Sequence, residues 1–240
     1  MTLDPAAKPP ERLRSVFKKW QHAALQEIIE STDIVDLQRD DGHHEQCSFF
    51  NLDSSIAFQP KDPSTHKEIT VEQMLRRKLR WMTLGGQYDW TRKVYPDEAA
   101  PAFPPDVARK LNDYFPSIEP QAAIVNFYTP GDTLSVHRDI SEESDQALIS
   151  LSIGCDSLFL AANRDGSEYA IIRLRSGDAV LMSGESRHAW HGVPRVLANT
   201  CPLELQDWPC YGGDDRFAQW RGWLGTKRIN INVRQMTDSK

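Results

Sequence analysis

The chain is 240 residues long, with 40% hydrophobic and 26% charged residues and a formal net charge of −6. These values fit one large globular domain with a single core. No apolar run approaches the ~20 residues of a membrane-spanning helix, and the N-terminus lacks the apolar segment of a signal peptide, so neither a membrane partner nor secretion is predicted. The negative charge counts, by itself, against a general nucleic-acid binder.

The four cysteines, Cys47, Cys155, Cys201 and Cys210, lie far apart and form no C-x-x-C pair. This pattern argues against a structural zinc site or a disulfide framework and favours a reducing compartment. We therefore expect an intracellular protein, in the nucleus or cytoplasm by preference, with a mitochondrial location also open. A monomer is the expected oligomeric state.

Helices are predicted in the first half of the chain. The first covers residues 11–31, where apolar side chains recur at helical spacing after two prolines. Residues 32–66 are expected to be irregular. A second helix opens at Thr70, whose spacing to Gln73 is that of a capping box, and runs to about Leu79. A third follows Pro104-Pro105.

Strands are predicted from residue 122 onward, in short β-rich runs separated by turn residues. The runs are AAIVNFY, TLSVH, ALISLSIG, SLFLAAN, YAIIRLR, DAVLMS and RININVR. Short strands that follow early helices indicate an antiparallel double sheet flanked by helices, of the α+β class.

The segment NFYTPGDTLSVHRD contains the pair His137-x-Asp139. Residues two apart in an extended chain point the same way, so this imidazole and carboxylate converge. Such a pair is two thirds of the 2-His-1-carboxylate triad that binds non-haem iron, although a loop histidine beside a turn aspartate gives the same spacing. The third ligand should come from a later strand. Both His188 and His191 in SRHAWHGVPRV are candidates, and their spacing does not decide between them.

The stretch RININVR, residues 228–234, alternates strictly between polar and apolar side chains. It predicts a strand with one apolar face and one face that carries two arginines and two asparagines. Guanidinium groups bind carboxylates through two parallel hydrogen bonds. Arg228 and Arg234 lie roughly 20 Å apart at ~3.3 Å per residue, too far for both to hold one end of a small acid. If the iron works with a dicarboxylate co-substrate, one arginine would hold its far carboxylate and the other would serve the metal end. The alternative is an ordinary solvated edge strand.

Together these segments resemble the AlkB family of Fe(II)/2-oxoglutarate dioxygenases, from about Leu79 to Gln235. NFYTPGDTLSVHRD resembles the family's N-x-Y…L-x-x-H-x-D segment, and SGDAVLMSGESRHAWHGVPRV resembles its G-D-x-x-x-x-x-G-x-x-R-x-x-x-H-x-[IV] segment. RININVRQ resembles its R-x-N-x-T-x-R strand, with Asn232 where threonine is usual. KLRWMTLGGQYDW and HGVPRVL favour the branch typified by animal AlkB homologue one.

The resemblance implies a double-stranded β-helix, or jelly-roll, core of antiparallel strands flanked by N-terminal helices. One dioxygenase domain would span 1–240. Within it, 1–66 would form an N-terminal helix and irregular extension, 67–115 a nucleotide-recognition segment with a supporting helix, and 122–236 the catalytic core.

The resemblance also implies the site residues and the reaction. Fe(II) would be bound by the catalytic residues His137, Asp139 and His191, which selects His191 over His188. The co-substrate 2-oxoglutarate would be converted to succinate and CO₂ while a methyl group on a nucleobase is oxidised, with release of formaldehyde. Arg228 would hold its distal carboxylate, within a set of residues comprising Asn126, Tyr128, Arg228, Asn230 and Arg234.

Residues 65–93 reverse the charge of the chain locally, with seven Lys or Arg against three acids. Basic residues interleaved with Trp81, Tyr88 and Trp90 are expected to meet the phosphates and bases of methylated DNA or RNA, with the target base unpaired or flipped. The implied substrate contacts are Trp81, Tyr88, Ser141, Arg76, Arg77 and Lys78. Two simpler interpretations stay open. Arg76, Arg77 and Lys78, the RRK cluster, could form a solvated basic helix face, and Trp81 could be a core residue.

Ser141 stands where the bacterial enzymes of the family carry a second acid near the base. The bacterial preference for cationic methylated bases therefore does not transfer directly. Two other functions remain compatible with the sequence. One is a hydroxylase of a protein such as a histone, and the other is a catalytically silent module that only binds RNA or protein.

Overall fold

The computed structural model describes residues 49–60, 62–89, 101–140, 144–210 and 215–237, together with five positions before residue 30. By its internal contacts the chain divides into two compact units, Met1–Cys47 and Ser48–Lys240, and all elements given below lie in the second. The predicted helix over 11–31 lies outside the described residues, apart from those five positions. The single domain over 1–240 stays a prediction.

Within the described residues, the strands form two large antiparallel sheets and one short hairpin. The strands are β1 Ala57–Phe58, β2 Ile69–Thr70, β3 Trp81–Gly85, β4 Ala122–Tyr128, β5 Leu134–His137, β6 Leu148–Gly154, β7 Ser157–Ala162, β8 Tyr169–Leu174, β9 Ala179–Met182, β10 Trp190–Val196 and β11 Arg228–Arg234.

The two large sheets build the predicted jelly-roll core. One has the strand order β3-β4-β11-β6-β9 and the other the order β5-β10-β7-β8, while β1 pairs only with β2. Every neighbouring pair of strands in these described sheets is antiparallel. The α+β jelly-roll prediction is therefore confirmed.

All seven predicted strands are present, with ends within one residue of the prediction. Four of the described strands were not predicted: the two-residue strands β1 and β2, and the longer strands β3 and β10. The last of these, WHGVPRV, contains Gly192 and Pro194, which are both unfavourable inside a strand. Its pairing with β7 shifts register between Gly192 and Arg195, and such an irregularity accommodates a proline that cannot donate to the ladder.

The alternation in β11 decides which of its faces meets the core. On the apolar face, Ile231 and Val233 pack with Leu111 of a helix and with Ile118. That helix, α2, spans Pro105–Tyr114 as predicted and covers this side of the first sheet. The polar face of β11 is consequently turned toward the second sheet.

The predicted second helix is short and changes type. It begins with α1, Val71–Gln73, capped by Thr70 through both hydrogen bonds of the predicted capping box. It continues as a π-helical turn over Met74–Lys78 and ends at Leu79. The remaining helical segments are 3-10 turns: Phe49–Asn51, Gly184–Ser186, Leu203–Leu205, Asp215–Trp220 and Leu224–Thr226.

Two further features bear on the sequence predictions. Across the part of the chain that the structure describes, no helix is both long and apolar enough to cross a membrane. Cys155 and Cys201 are buried free thiols, and Cys210 is also buried.

Candidate active site

Three side chains that can bind a metal meet at one end of a cavity lined by both large sheets. His137 ends β5, Asp139 follows it, and His191 lies on β10 directly opposite His137, with ring centroids 4.3 Å apart. Asp139 Oδ1 lies 3.8 Å from His137 Nε2, and Asp139 Oδ2 lies 3.7 Å from His191 Nε2. One ligand atom from each side chain lies within 4.8 Å of the others, a spacing that can hold one metal ion.

Hydrogen bonds fix the ring nitrogen that each histidine presents. His137 Nδ1 lies 2.8 Å from the carbonyl oxygen of Ser135, and His191 Nδ1 lies 3.1 Å from that of Ala189. A carbonyl oxygen only accepts, so each Nδ1 carries a proton, and the lone pair of the neutral imidazole is therefore on Nε2. Burial also lowers the pKa of His191, which favours its neutral form. Both imidazoles are thus prepared to bind a metal through Nε2.

Asp139 is held as a carboxylate by donors on β11. Asn232 Nδ2 and Arg234 Nη2 each donate to Asp139 Oδ2 at 3.0 Å. Burial by itself raises the pKa of Asp139, but the charge of Arg234 and the hydrogen bond from Asn232 act in the opposite direction, and the pKa lies below its ordinary value. Asp139 is therefore ionised at neutral pH, which is the form that binds a cation.

The two arginines of β11 lie at opposite ends of the cavity wall. The four polar side chains of the strand all border the cavity. Arg234 lies at the metal end, beside Asp139. Arg228 lies at the other end, opposite Tyr128 of β4. The wall between them carries Asn126 and Asn230, which face each other across the β4–β11 ladder.

Arg228 is a buried cation that has no counter-charge among the described residues. Its side chain is 1% exposed, its Nη2 donates to Ser152 Oγ at 3.0 Å, and its guanidinium lies 5.3 Å from the centroid of the Tyr128 ring. The Nε and Nη1 atoms of Arg228 and the hydroxyl of Tyr128 are buried and have no hydrogen-bond partner within the described ranges. Burial lowers the pKa of Arg228 from its ordinary value, but arginine stays protonated in proteins.

Those orphaned donors define a site for an anion. Buried cations are unfavourable unless they are paired, and a guanidinium pairs best with a planar carboxylate. A carboxylate at this position would accept hydrogen bonds from Arg228 and from the Tyr128 hydroxyl. The residues at this end of the cavity therefore fit the distal carboxylate of 2-oxoglutarate, as those at the other end fit Fe(II).

The cavity encloses about 300 Å³, and sequence reasoning missed its apolar side chains. Strand parity could have found two of them, because Ile124 lies two residues before Asn126 and Val193 two residues after His191. Apolar walls keep water away from a reacting centre. The apolar side chains that border the cavity are Ile124, Leu134, Phe159, Met182 and Val193.

His188, the other candidate ligand, lies outside the three-residue cluster. Its Nε2 lies 3.2 Å from Asp145 Oδ1, and its Nδ1 lies 3.3 Å from the backbone carbonyl oxygen of Asp139. Both ring nitrogens face oxygen atoms, so neither is directed at the carboxylate of Asp139. The geometry favours His191 as the third ligand.

The aromatic residues predicted to contact substrate lie at and near the cavity. Tyr88 borders it directly. Trp81 is 43% exposed, which does not fit a core position. It lies opposite Asn126 in the β3–β4 pair and therefore on the same side of the sheet as that cavity residue. Trp90 and Ser141 lie outside the described residues.

The three basic residues predicted to contact substrate, Arg76, Arg77 and Lys78, lie on the exposed π-helical turn and do not border the cavity. They line a separate open groove beside the β1–β2 hairpin. Arg76 is already engaged, since its Nε lies 2.9 Å from Glu72 Oε1 and its guanidinium lies 5.7 Å from the centroid of Trp220. Arg77 and Lys78 project from the turn as exposed side chains.

Comparison with known proteins agrees with this geometry. The 2OG-Fe(II) oxygenase superfamily matches residues 42–234. A solved structure of OsALKBH1 superposes with a TM-score of 0.54 over 78% of this chain and 86% of that one, at 22% identity, and so supports the fold.

Curated relatives include two fungal proteins. The N6-methyladenosine RNA demethylase ALKB1 of Pyricularia oryzae is 54% identical over 82% of this chain and 60% of its own length. The N6-methyladenosine RNA demethylase ALKBH of Cryphonectria parasitica is 53% identical over 81% of this chain and 92% of its own length.

A more distant relative is the tRNA demethylase abh1 of Schizosaccharomyces pombe, which is 45% identical over 72% of this chain and 58% of its own length. The chain thus spans about three fifths of the Pyricularia and Schizosaccharomyces proteins and nearly all of the Cryphonectria protein. The superfamily match covers most of the chain, and the two fungal AlkB relatives are more than half identical to it over four fifths of its length. The chain therefore belongs to the AlkB family of the 2OG-Fe(II) oxygenase superfamily.

Proposed function

We propose that this chain is an Fe(II)- and 2-oxoglutarate-dependent dioxygenase that removes methyl groups from nucleobases. One observation carries the proposal: a single cavity has the His137, Asp139 and His191 cluster at one end and the uncompensated buried Arg228 at the other. The superfamily uses Fe(II) and 2-oxoglutarate. Each end of the cavity fits one of these two groups.

When bound, Fe(II) and 2-oxoglutarate supply the oxidising power, placing one atom of O₂ in succinate, with loss of CO₂, and the other in a methyl C–H bond of the substrate. An N-hydroxymethyl group formed in this way loses formaldehyde and leaves an N–H group on the base. The net result is a demethylated nucleobase.

The side chains of the cavity bind the metal and the co-substrate, orient the co-substrate and shield the reacting groups from water. His137, Asp139 and His191 would hold the metal through two imidazole nitrogens and one carboxylate. Arg228 and Tyr128 would hold the distal carboxylate of the co-substrate and so direct its other end toward the metal. The apolar cavity wall excludes water from the reacting groups.

The substrate class rests on the relatives and on the surface near the cavity. Three curated relatives are named for demethylation of N6-methyladenosine in RNA or of tRNA. A base within a duplex cannot reach a metal inside a cavity of about 300 Å³, so the target base must be unpaired or flipped. We infer that RNA or DNA with an accessible methylated base is the substrate and that the protein acts as a monomer.

Succinate formation tests the proposed substrate class. The purified protein is given Fe(II) and 2-oxoglutarate with a methylated single-stranded oligonucleotide, its unmethylated counterpart, or a methylated histone peptide. Of these three additions, we expect only the methylated oligonucleotide to raise the rate of succinate formation above the rate without substrate. Stimulation by the peptide alone would favour a protein hydroxylase, and failure to bind Fe(II) and 2-oxoglutarate would favour a silent binding module.

Trp81→Ala is expected to weaken turnover of the oligonucleotide. Stacking of a base on an aromatic side chain contributes ~1–3 kcal/mol, so kcat/KM for the oligonucleotide should fall about fivefold or more while the 2-oxoglutarate constant stays within about twofold. The matched control is Tyr114→Ala, which removes a more exposed aromatic ring at the end of α2. Equal losses in both variants would contradict a base-stacking role for Trp81.

Charge reversal at Arg77 and Lys78 is expected to weaken binding of any oligonucleotide and to flatten its salt dependence. Each lost phosphate contact changes the slope of log K against log salt by ~0.7 for single strands, so the double variant should flatten it by about one unit or more. Arg109→Glu with Lys110→Glu, on exposed positions of α2, makes the same charge change elsewhere. If both double variants bind alike, the RRK cluster is a solvated face.

A further inference from the structure

The cavity contains a polar residue to which the proposed ligand set gives no role, Asn232 of β11. Its Nδ2 donates to Oδ2 of Asp139 at 3.0 Å. We propose that Asn232 is a positioning residue that fixes the orientation of the Asp139 carboxylate for the metal. The inference rests on the proposed ligand set of His137, Asp139 and His191.

The contacts of Asp139 separate its two oxygen atoms by role. Oδ2 accepts from both Asn232 and Arg234, each at 3.0 Å. A carboxylate oxygen offers about two lone pairs, so these donors occupy Oδ2. Each oxygen lies near one ligand imidazole, Oδ1 at 3.8 Å from His137 Nε2 and Oδ2 at 3.7 Å from His191 Nε2, but Oδ1 receives no hydrogen bond from the described residues. The hydrogen bonds therefore leave Oδ1 as the oxygen whose lone pairs are available to a metal.

The main chain of Asp139 is anchored without Asn232. Buried Arg187 donates from Nη1 to the carbonyl oxygen of Asp139 at 3.0 Å and from Nε to that of Gln146 at 2.7 Å. What remains adjustable is the rotation of the carboxylate about its own side-chain bonds. Arg234 alone would leave the carboxylate free to turn about a single hydrogen bond, whereas a second donor defines its plane.

The orientation of the Asn232 amide also indicates a donor role. Its Oδ1 is buried and has no hydrogen-bond partner in the part of the chain that the structure describes. An unsatisfied buried acceptor is unfavourable. Exchange of the two amide atoms would place that oxygen against Asp139 Oδ2, where two acceptors repel. The bond to Asp139 is therefore the interaction that sets the amide in place.

Metal affinity of the apoprotein, measured by calorimetric titration with Mn(II), tests the role of Asn232. Loss of a group that orients a metal ligand commonly lowers metal affinity ~10–100-fold, and we expect that loss in Asn232→Ala. Asn232→Thr keeps a hydroxyl donor and is expected to recover part of the affinity. Asn163→Ala removes an amide from the exposed turn after β7 and should bind Mn(II) like the wild type.

Two controls keep this inference separate from the proposed function. Asp139→Ala should abolish Mn(II) binding; if it does not, or if the wild type fails to bind Mn(II), the proposed ligand set is wrong. If the wild type binds and Asn232→Ala binds equally well, only the positioning role is overturned. A threonine variant that binds more weakly than the alanine variant would also overturn it. Melting temperatures of the metal-free proteins show whether each variant is folded.

Discussion

Alanine at His137, Asp139 or His191 is expected to reduce succinate formation to the level of a reaction without iron, while the folded structure persists. Each substitution removes one of three protein ligands, and a vacated position in such a site is filled only by water. The same change at His188 is expected to leave substantial activity. Succinate is quantified at saturating 2-oxoglutarate, and circular dichroism checks the fold of each variant.

The pair His188 and His191 gives this prediction its sharpest form, because the two histidines lie three residues apart on one short segment. His191 is 5% exposed and its Nε2 faces Asp139, whereas His188 contacts Asp145 and a backbone carbonyl group. Arg187 holds the same carbonyl oxygen, so loss of His188 leaves the main chain of Asp139 anchored. An essential His188 beside a dispensable His191 would refute the ligand set.

Arg228→Ala is expected to raise the dissociation constant for 2-oxoglutarate at least about tenfold, because a hydrogen bond to a charged group contributes about 1.5–3 kcal/mol. Arg228→Lys should recover only part of the affinity, since an ammonium group cannot reproduce the two-pronged guanidinium contact. The constant is measured by titration of the Mn(II)-loaded protein. Arg195→Ala, at an exposed position of β10, is the control.

Thermal unfolding separates the ligand role of Arg228 from a structural one. In the ligand-free protein Arg228 is buried, and no counter-charge to it lies in the part of the chain that the structure describes. A buried charge without a partner is itself unfavourable, so its removal offsets the loss of the contacts with Ser152 and Tyr128. Arg228→Ala should therefore keep the melting temperature of the ligand-free protein but lose the increase that 2-oxoglutarate gives the wild type. Unchanged 2-oxoglutarate affinity would make Arg228 an ordinary strand residue.

The polar strand β11 shows how far sequence could predict the site. Strict alternation places Arg228 and Arg234 on one face, and strand geometry keeps them apart, so their location at opposite ends of the cavity wall follows from the sequence. What alternation cannot supply is the partner of each side chain. The contact of Arg234 with Asp139 and the orphaned atoms of Arg228 depend on how the two sheets face each other.

The choice between His188 and His191 is a second point that the sequence pattern alone could not predict. Spacing along the segment leaves both open, because the decision depends on the pairing of β10 with β5, which sets His191 opposite His137. That strand escaped prediction owing to Gly192 and Pro194. Resemblance to a family motif supplied the assignment that local pattern could not.

The substrate-side residues were the least accessible to sequence reasoning. A basic run predicts a charged surface but not which of its members are engaged within the protein. Arg76 pairs with Glu72 and lies over Trp220, whereas Arg77 and Lys78 are exposed. Trp81 was compatible with a core position from its sequence context, and only its exposed fraction separates the two interpretations.

The central claim is oxidative demethylation of a nucleobase, and its most direct measurement is the product ratio on one defined substrate. A single-stranded RNA oligonucleotide with one N6-methyladenosine is incubated with the protein, Fe(II), 2-oxoglutarate and O₂, and its nucleosides, formaldehyde and succinate are quantified by mass spectrometry. We predict equal amounts of adenosine gained, formaldehyde released and succinate formed, none of which appears with His191→Ala. Succinate formed while the methylated base stays intact, on this oligonucleotide and on a panel carrying other methylated bases, would contradict the claim.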